Sequence, residues 1–341
     1  MRCDRIFISL LAAILTASIA HAETKPANAT KSATETNPAG GTQSTDDKPL
    51  RTAFKIDPLS ALNSAILQTD AAKPAASDAE MDLLQHARRN KMEQWSMAKA
   101  ALLISGVTDD EERKKYLAQL ADIAKECKDK TDEAHTPLAK AKILAKYLHD
   151  TPMHAGYASN QYNLRVLLDT GHYNCVSSAV LFNMMAKHCG IEVRAVTMSG
   201  HVFSRALDFD VEPTSGHVYA NADRNDRILK ELAAKGDQKN SPYVNQLFRE
   251  TNNLGLLSTM YQDMGGDFRR GQHYEESVAS YLKAACLDPK DPSTLANLRS
   301  TFKHWSASCK KNHDDSKAEA VDRFAAELLR DPSAPNKTTT L

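Results

Sequence analysis

Between Tyr173 and Ser215 the hydrophobic pattern changes its period, and that change restricts the fold more than any other feature of the 341 residues. From Cys175 the sequence reads as an amphipathic helix that ends at His188-Cys189-Gly190, where Gly190 supplies a left-handed cap. Ile191, Val193, Ala195 and Thr197 then alternate with more polar neighbours, which is the strand signal. His201 to Ala206 reads as the next strand, and Phe209 to Thr214 as a third, after a turn near Leu207-Asp208. With that turn centred between residues 207 and 208, Glu212 faces Phe203. It then lies diagonally from His201 on the same sheet face, within reach of a glutamate side chain.

A cysteine at a helix start, then a histidine and a carboxylate on two short strands, is the order of a nucleophilic cysteine hydrolase or transferase. Unpaired N–H groups and the positive end of the helix dipole favour a thiolate there. The histidine can take or return the proton, and the acid can hold one tautomer of the ring. Cysteines at helix starts are more often buried small hydrophobes; the matched His201 and Glu212 weigh against that reading of Cys175. Asp208 and Asp210 compete with Glu212 for the acid role, Asp208 as a turn former and Asp210 with the right parity. His172 is expected at the rim of a pocket and His217 at the surface.

The chain opens with Arg2 and Arg5, an apolar run from Ile6 to Ala20 and the small–x–small site Ala20-His21-Ala22. This is the pattern of a cleaved signal peptide over 1–22, so the mature protein is expected outside the cytoplasm, periplasmic or extracellular, with no membrane span left. Residues 23–55 are rich in Thr, Ala, Lys, Pro, Ser and Asp and read as a disordered linker. Lys plus Arg equals Asp plus Glu at 43 each, with no basic stripe, which argues against nucleic acid as a partner. Six cysteines fall to five with the signal, leaving at least one thiol free in an oxidising compartment. Cys175 is the one expected unpaired. Cys286 and Cys309, on adjacent predicted helices, are the pair placed to bridge, with buried free thiols as the equal alternative, and Cys127 and Cys189 have no evident partner. No metal-ligand spacing occurs, and neither a metal nor a cofactor is expected.

Elsewhere the chain is helical. Apolar positions recur at helical spacing over 79–100, a second helix follows an Asp109 or Asp110 cap, and a third runs from Pro137 to about Leu148. A loop and short helix over Asn160 to Leu168 stop at Gly171. From Leu254, Tyr261, Gly265, Phe268, Ser277, Tyr281, Ala284 and Pro289 fall at the spacings of a tetratricopeptide repeat. A second, poorer unit runs from Thr294 to Pro332.

Asn174-Cys175 at a helix start, Gly200-His201-Val202-Phe203 on a strand and Val211-Glu212-Pro213-Thr214-Ser215 after a hairpin resemble the transglutaminase-like superfamily. More narrowly, they resemble an exported bacterial branch with tetratricopeptide-like helices after the core. The resemblance implies an α+β fold, a papain-like nucleophile helix on a small antiparallel sheet. Its segments are a helical N-terminal region over 56–155, the core over 156–245, tetratricopeptide-like helices over 254–332 and a flexible tail over 333–341. Much of the superfamily has aspartate where this chain has Glu212.

It also implies acyl transfer from a protein or peptide amide. Cys175 would form a thioester, His201 would move the proton, and Glu212 would fix the ring. The Cys175 N–H could supply one oxyanion donor, with Asn160, Gln161, Asn163 and Asn174 open for the second. Water as acceptor makes a peptidase or amidase; an amine makes a cross-linker. The alternative is an inactive protein-binding module that uses the C-terminal helices, the core serving as scaffold.

Overall fold

The computed structural model describes residues 53–68, 75–198, 200–220 and 248–330, all within one compact unit. The expected signal peptide, most of the linker, Pro332 and the C-terminal tail lie outside the described residues. The linker expected to reach residue 55 gives way earlier: Phe54 bridges Leu329, and the Lys55 N–H donates to the Leu328 carbonyl at 2.8 Å.

After a short helix α1 (Pro58–Ala61), the single helix expected over 79–100 is two. α2 (Asp78–Arg88) starts in a capping box between Ser77 and Glu80, and α3 (Met97–Ile104) starts at Ser96, whose hydroxyl accepts from the Lys99 N–H. Asn90, at φ 53, breaks the run between them. Met92 and Trp95 pack on the core across the break, so the apolar spacing runs on where the helix does not. Asp109 caps α4 (Asp110–Thr131), and Thr136 caps α5 (Pro137–Asp150), with Pro137 in its first turn. Two-residue strands β1 (Gly156–Tyr157) and β2 (His172–Tyr173) pair in parallel around α6 (Leu164–Thr170), which ends at Gly171.

α7 (Cys175–His188) ends as its sequence dictates, with Gly190 at φ 72 just beyond the last turn. The expected amphipathic helix is a correction: every residue from Cys175 to Ala186 is buried. α3, α4, α5, α6, the later helix Asn253–Arg270 and the sheet all pack on it, and two of its polar side chains bond outside the helix. Ser177 Oγ donates to the Gln161 carbonyl at 2.6 Å, and Asn183 Oδ1 accepts from Ser204 Oγ at 2.6 Å.

The main sheet has five antiparallel strands: β3 (Arg194–Met198), β4 (His201–Arg205), β5 (Phe209–Glu212), β6 (His217–Ala220) and β7 (Arg249–Thr251), in the order β6-β5-β4-β3-β7. Ser204 faces Val211 and Arg205 faces Asp210, which is the register of a turn centred between residues 207 and 208. Ala195, Val202, Phe209 and Val211 join the main core. β6 and β7 add to the three strands read from the sequence.

Four helices follow: α8 (Asn253–Arg270), α9 (Tyr274–Leu287), α10 (Pro292–Lys311) and α11 (Asp315–Leu328), each packed on the next. At Gly265 α8 lies tight against α9: a Cβ there would stand 3.0 Å from the Tyr281 ring. Ser277 Oγ donates to the Gly265 carbonyl at 2.7 Å. The same helices hold α2, because Glu80 accepts from Tyr261 at 2.9 Å and from Lys283 at 2.8 Å. The bridge considered for Cys286 and Cys309 is absent, and both thiols are free and buried. Cys286 faces Arg88, whereas Cys309 lies among Lys317, Asp314 and Glu275. Among the described residues no helix is long and apolar enough to cross a membrane.

Candidate active site

Asn174 sets the start of α7. Its Oδ1 accepts from the N–H groups of Val176 and Ser177, at 2.9 and 3.1 Å, which closes the first turn around Cys175. Cys175 is therefore the first helical residue, at the positive end of the dipole, and is 8% exposed. β4 brings the histidine beside it, near enough for the Cys175 thiol to favour a charged His201 ring.

The far side of that ring meets the acid. His201 Nε2 lies 2.7 Å from Glu212 Oε2, which leaves Nδ1 as the nitrogen for the sulfur. Thr214 Oγ1 donates to Glu212 Oε1 at 2.6 Å, so both carboxylate oxygens are engaged. Thr214 is tied in turn by its carbonyl to the Tyr173 hydroxyl, at 2.9 Å. Burial works against a charge on His201, but the bonds and charges of Cys175 and Glu212 outweigh it and lift the imidazole to about 10 from an ordinary 6.5.

Each competing residue has another place. Asp210, 2% exposed, receives two hydrogen bonds from Arg205, at 2.8 and 3.0 Å. Asp208 is an exposed turn residue and His217 is exposed at the start of β6. His172 departs from expectation: it sits in β2 with Nδ1 3.3 Å from the Gly156 carbonyl and does not line the cleft. Asn163 caps α6 and donates to the Ser105 carbonyl, and Asn174 is consumed by its own helix. Gln161 does not reach the cleft, whereas Asn160 lines it.

The thiol opens on a cleft of about 1280 Å³. Tyr157, Asn160 and Tyr162 form one side, Met198, Gly200, His201 and Val202 another, and α8, with Gln262, Asp263, Gly266 and Arg269, the far wall. Tyr157 is 57% exposed and packs edge-on against Tyr173, with ring centroids 6.2 Å apart. The sequence reading gave no role to Thr214, Tyr157 or Asp263. Thr214 stood inside a quoted motif, but its partner oxygen is set by the turn after β5. Asp263 carried no signal, lying 88 positions beyond Cys175. Among the described residues, no group of three or more His, Cys, Asp or Glu is placed to hold a metal ion.

A cysteine on a helix start, facing a histidine and a carboxylate on adjacent strands, is the layout of a papain-like thiol fold. Residues 114–262 match the family model of the transglutaminase-like superfamily, so this stretch is a transglutaminase-like domain. The match runs from within α4 to the middle of α8 and contains Cys175, His201 and Glu212. No curated protein and no solved structure matches the chain.

Proposed function

We propose that this protein is an exported thiol peptidase, amidase or acyltransferase that acts on a protein or peptide amide through a Cys175 thioester. The observation that carries the reading is the His201–Glu212 pair set beside Cys175 in the lining of one cleft. Cys175 attacks the amide carbon as thiolate, and the new oxyanion lies toward the Cys175 N–H at the uncapped edge of the first turn. His201, charged at neutral pH, gives its Nδ1 proton to the departing amine. Water or a second amine then opens the thioester, with His201 taking the incoming proton. Glu212 keeps the ring oriented throughout, and a glutamate fills the place of the usual aspartate because Thr214 steadies its longer side chain.

The tetratricopeptide-like spacing of α8 and α9 is read here as packing that builds the far wall of the cleft, where a protein substrate would lie. Export rests on the signal-like first 22 residues. The test is the rate of iodoacetamide labelling at Cys175 at pH 6, in the wild type and in His201→Ala. Labelling at least tenfold faster in the wild type supports a primed pair. Equal, slow labelling would leave the protein-binding scaffold as the better description.

A further inference from the structure

Asp263 reaches the start of α7 from α8, just past the matched domain. Its Oδ2 accepts from Asn174 Nδ2 at 2.8 Å, and this is the only hydrogen bond it makes among the described residues. Of the other shielded acids, Asp210 and Asp288 are buried and face Arg205 and Arg249, and the half-buried Glu80 faces Lys283, whereas Asp291 takes the Gln262 amide at 2.7 Å beside its own helix start. Asp263 faces an amide too. Arg270, one of its nearer cations, is paired with Asp267.

The amide it holds is the one that caps the nucleophile helix. Asn174 is 1% exposed, and all of its side-chain capacity is used. The oxygen takes two N–H groups of the first turn, while the nitrogen donates to the Ser159 carbonyl at 3.3 Å and to Asp263. A primary amide has two ends of similar shape, and an ionised carboxylate accepts but cannot donate. Asp263 therefore draws the nitrogen end toward α8 and keeps the oxygen end on the helix.

We propose that Asp263 is a positioning residue of the Cys175 site: from α8 it fixes the Asn174 cap, and through the cap the turn on which the thiol stands. This rests on the reading of Cys175 as nucleophile. The C-terminal helices are then part of the site and not an appended module. A half-buried carboxylate without a cation is costly to the fold; desolvation, the largest influence, lifts Asp263 to about 6. Its position beside the cap accounts for its presence.

The test measures iodoacetamide labelling of Cys175 in the full chain at pH 8, with melting temperature alongside. Asp263→Ala removes the acceptor and should label about tenfold more slowly, the worth of one charge-assisted hydrogen bond. Asp263→Asn keeps an acceptor oxygen and should label within about threefold of the wild type. Both variants should melt within a few degrees of it. Wild-type-like or faster labelling of Asp263→Ala overturns the role, as does slow labelling in both variants with a collapsed melting temperature. A wild type no faster than His201→Ala removes the nucleophile reading itself, and this role with it.

Discussion

Glu212 reaches His201 along a diagonal: the strand register sets Glu212 opposite Phe203, yet its Oε2 closes to 2.7 Å from His201 Nε2. The extra methylene of glutamate over aspartate suits that diagonal span. Because Cys175 and Glu212 together hold His201 up near 10, the imidazolium persists through neutrality and is lost only as pH rises through that value. Glu212→Gln keeps the hydrogen-bonding shape but removes the charge. In this variant the alkaline limit of Cys175 reactivity should move down toward 6.5, and turnover at pH 8 should fall at least tenfold. A pH profile of turnover, with the His201 ring followed by NMR, checks both effects. An unmoved alkaline limit would remove Glu212 from the site.

Asp210→Asn should separate structure from chemistry. The change strips a 2%-exposed acid of its charge and leaves Arg205 without its main partner. Loss of one member of such a buried pair costs about 3–5 kcal/mol. Urea unfolding should show that loss, while the pH dependence of labelling keeps its wild-type shape.

Cys175→Ala should end all acyl chemistry and leave the melting temperature within a few degrees. The thiol is small, the residue caps nothing, and alanine suits the first turn of a helix. A drop of ten degrees or more would mean that the cysteine is a packing residue.

Thiol mapping by mass spectrometry on the native protein should find Cys175 modified first, ahead of Cys127, Cys189, Cys286 and Cys309. Burial pushes Cys127 and Cys286 up to about 12 and also raises Cys189 and Cys309. A second thiol reacting as fast would place another reactive cysteine in the molecule.

Lys283→Met tests the tie between α2 and α9. Burial opposes the Glu80 charge, but Lys283, Ser77 and Tyr261 together hold its carboxyl below the usual range. Stability from this group is therefore present above 4.5 and is lost as pH falls through its lowered value. Without Lys283 the native state should lose about 3–5 kcal/mol at pH 7, and the wild-type advantage should shrink on acidification. Denaturant titrations at pH 7 and pH 3 would read it.

Local signals carried the parts of the fold that depend on neighbours in sequence. Asp109, Pro137 and Gly190 marked helix ends that hold in the structure, and the Leu207-Asp208 turn fixed the hairpin register. The helix break at Asn90 stayed hidden because Met92 and Trp95 keep the apolar spacing through it. The burial of α7 on all sides was hidden for another reason: it depends on five helices and a sheet that no short window contains. Asp263 belongs to the same class, since nothing in its neighbours announces the Asn174 amide.

The bridge between Phe54 and Leu329, together with the Glu80–Lys283 contact across 203 residues, has a consequence for timing. At synthesis rates of about 5–20 residues per second, about 10–40 s separate the appearance of Glu80 from that of its partner. During that interval α2 has no C-terminal helix to cover it. Completion therefore waits for the C-terminal helices, and the cleft, one wall of which comes from α8, cannot form before they do. A nascent chain stalled before residue 263 would display Cys175 without the Asp263 acceptor for its Asn174 cap.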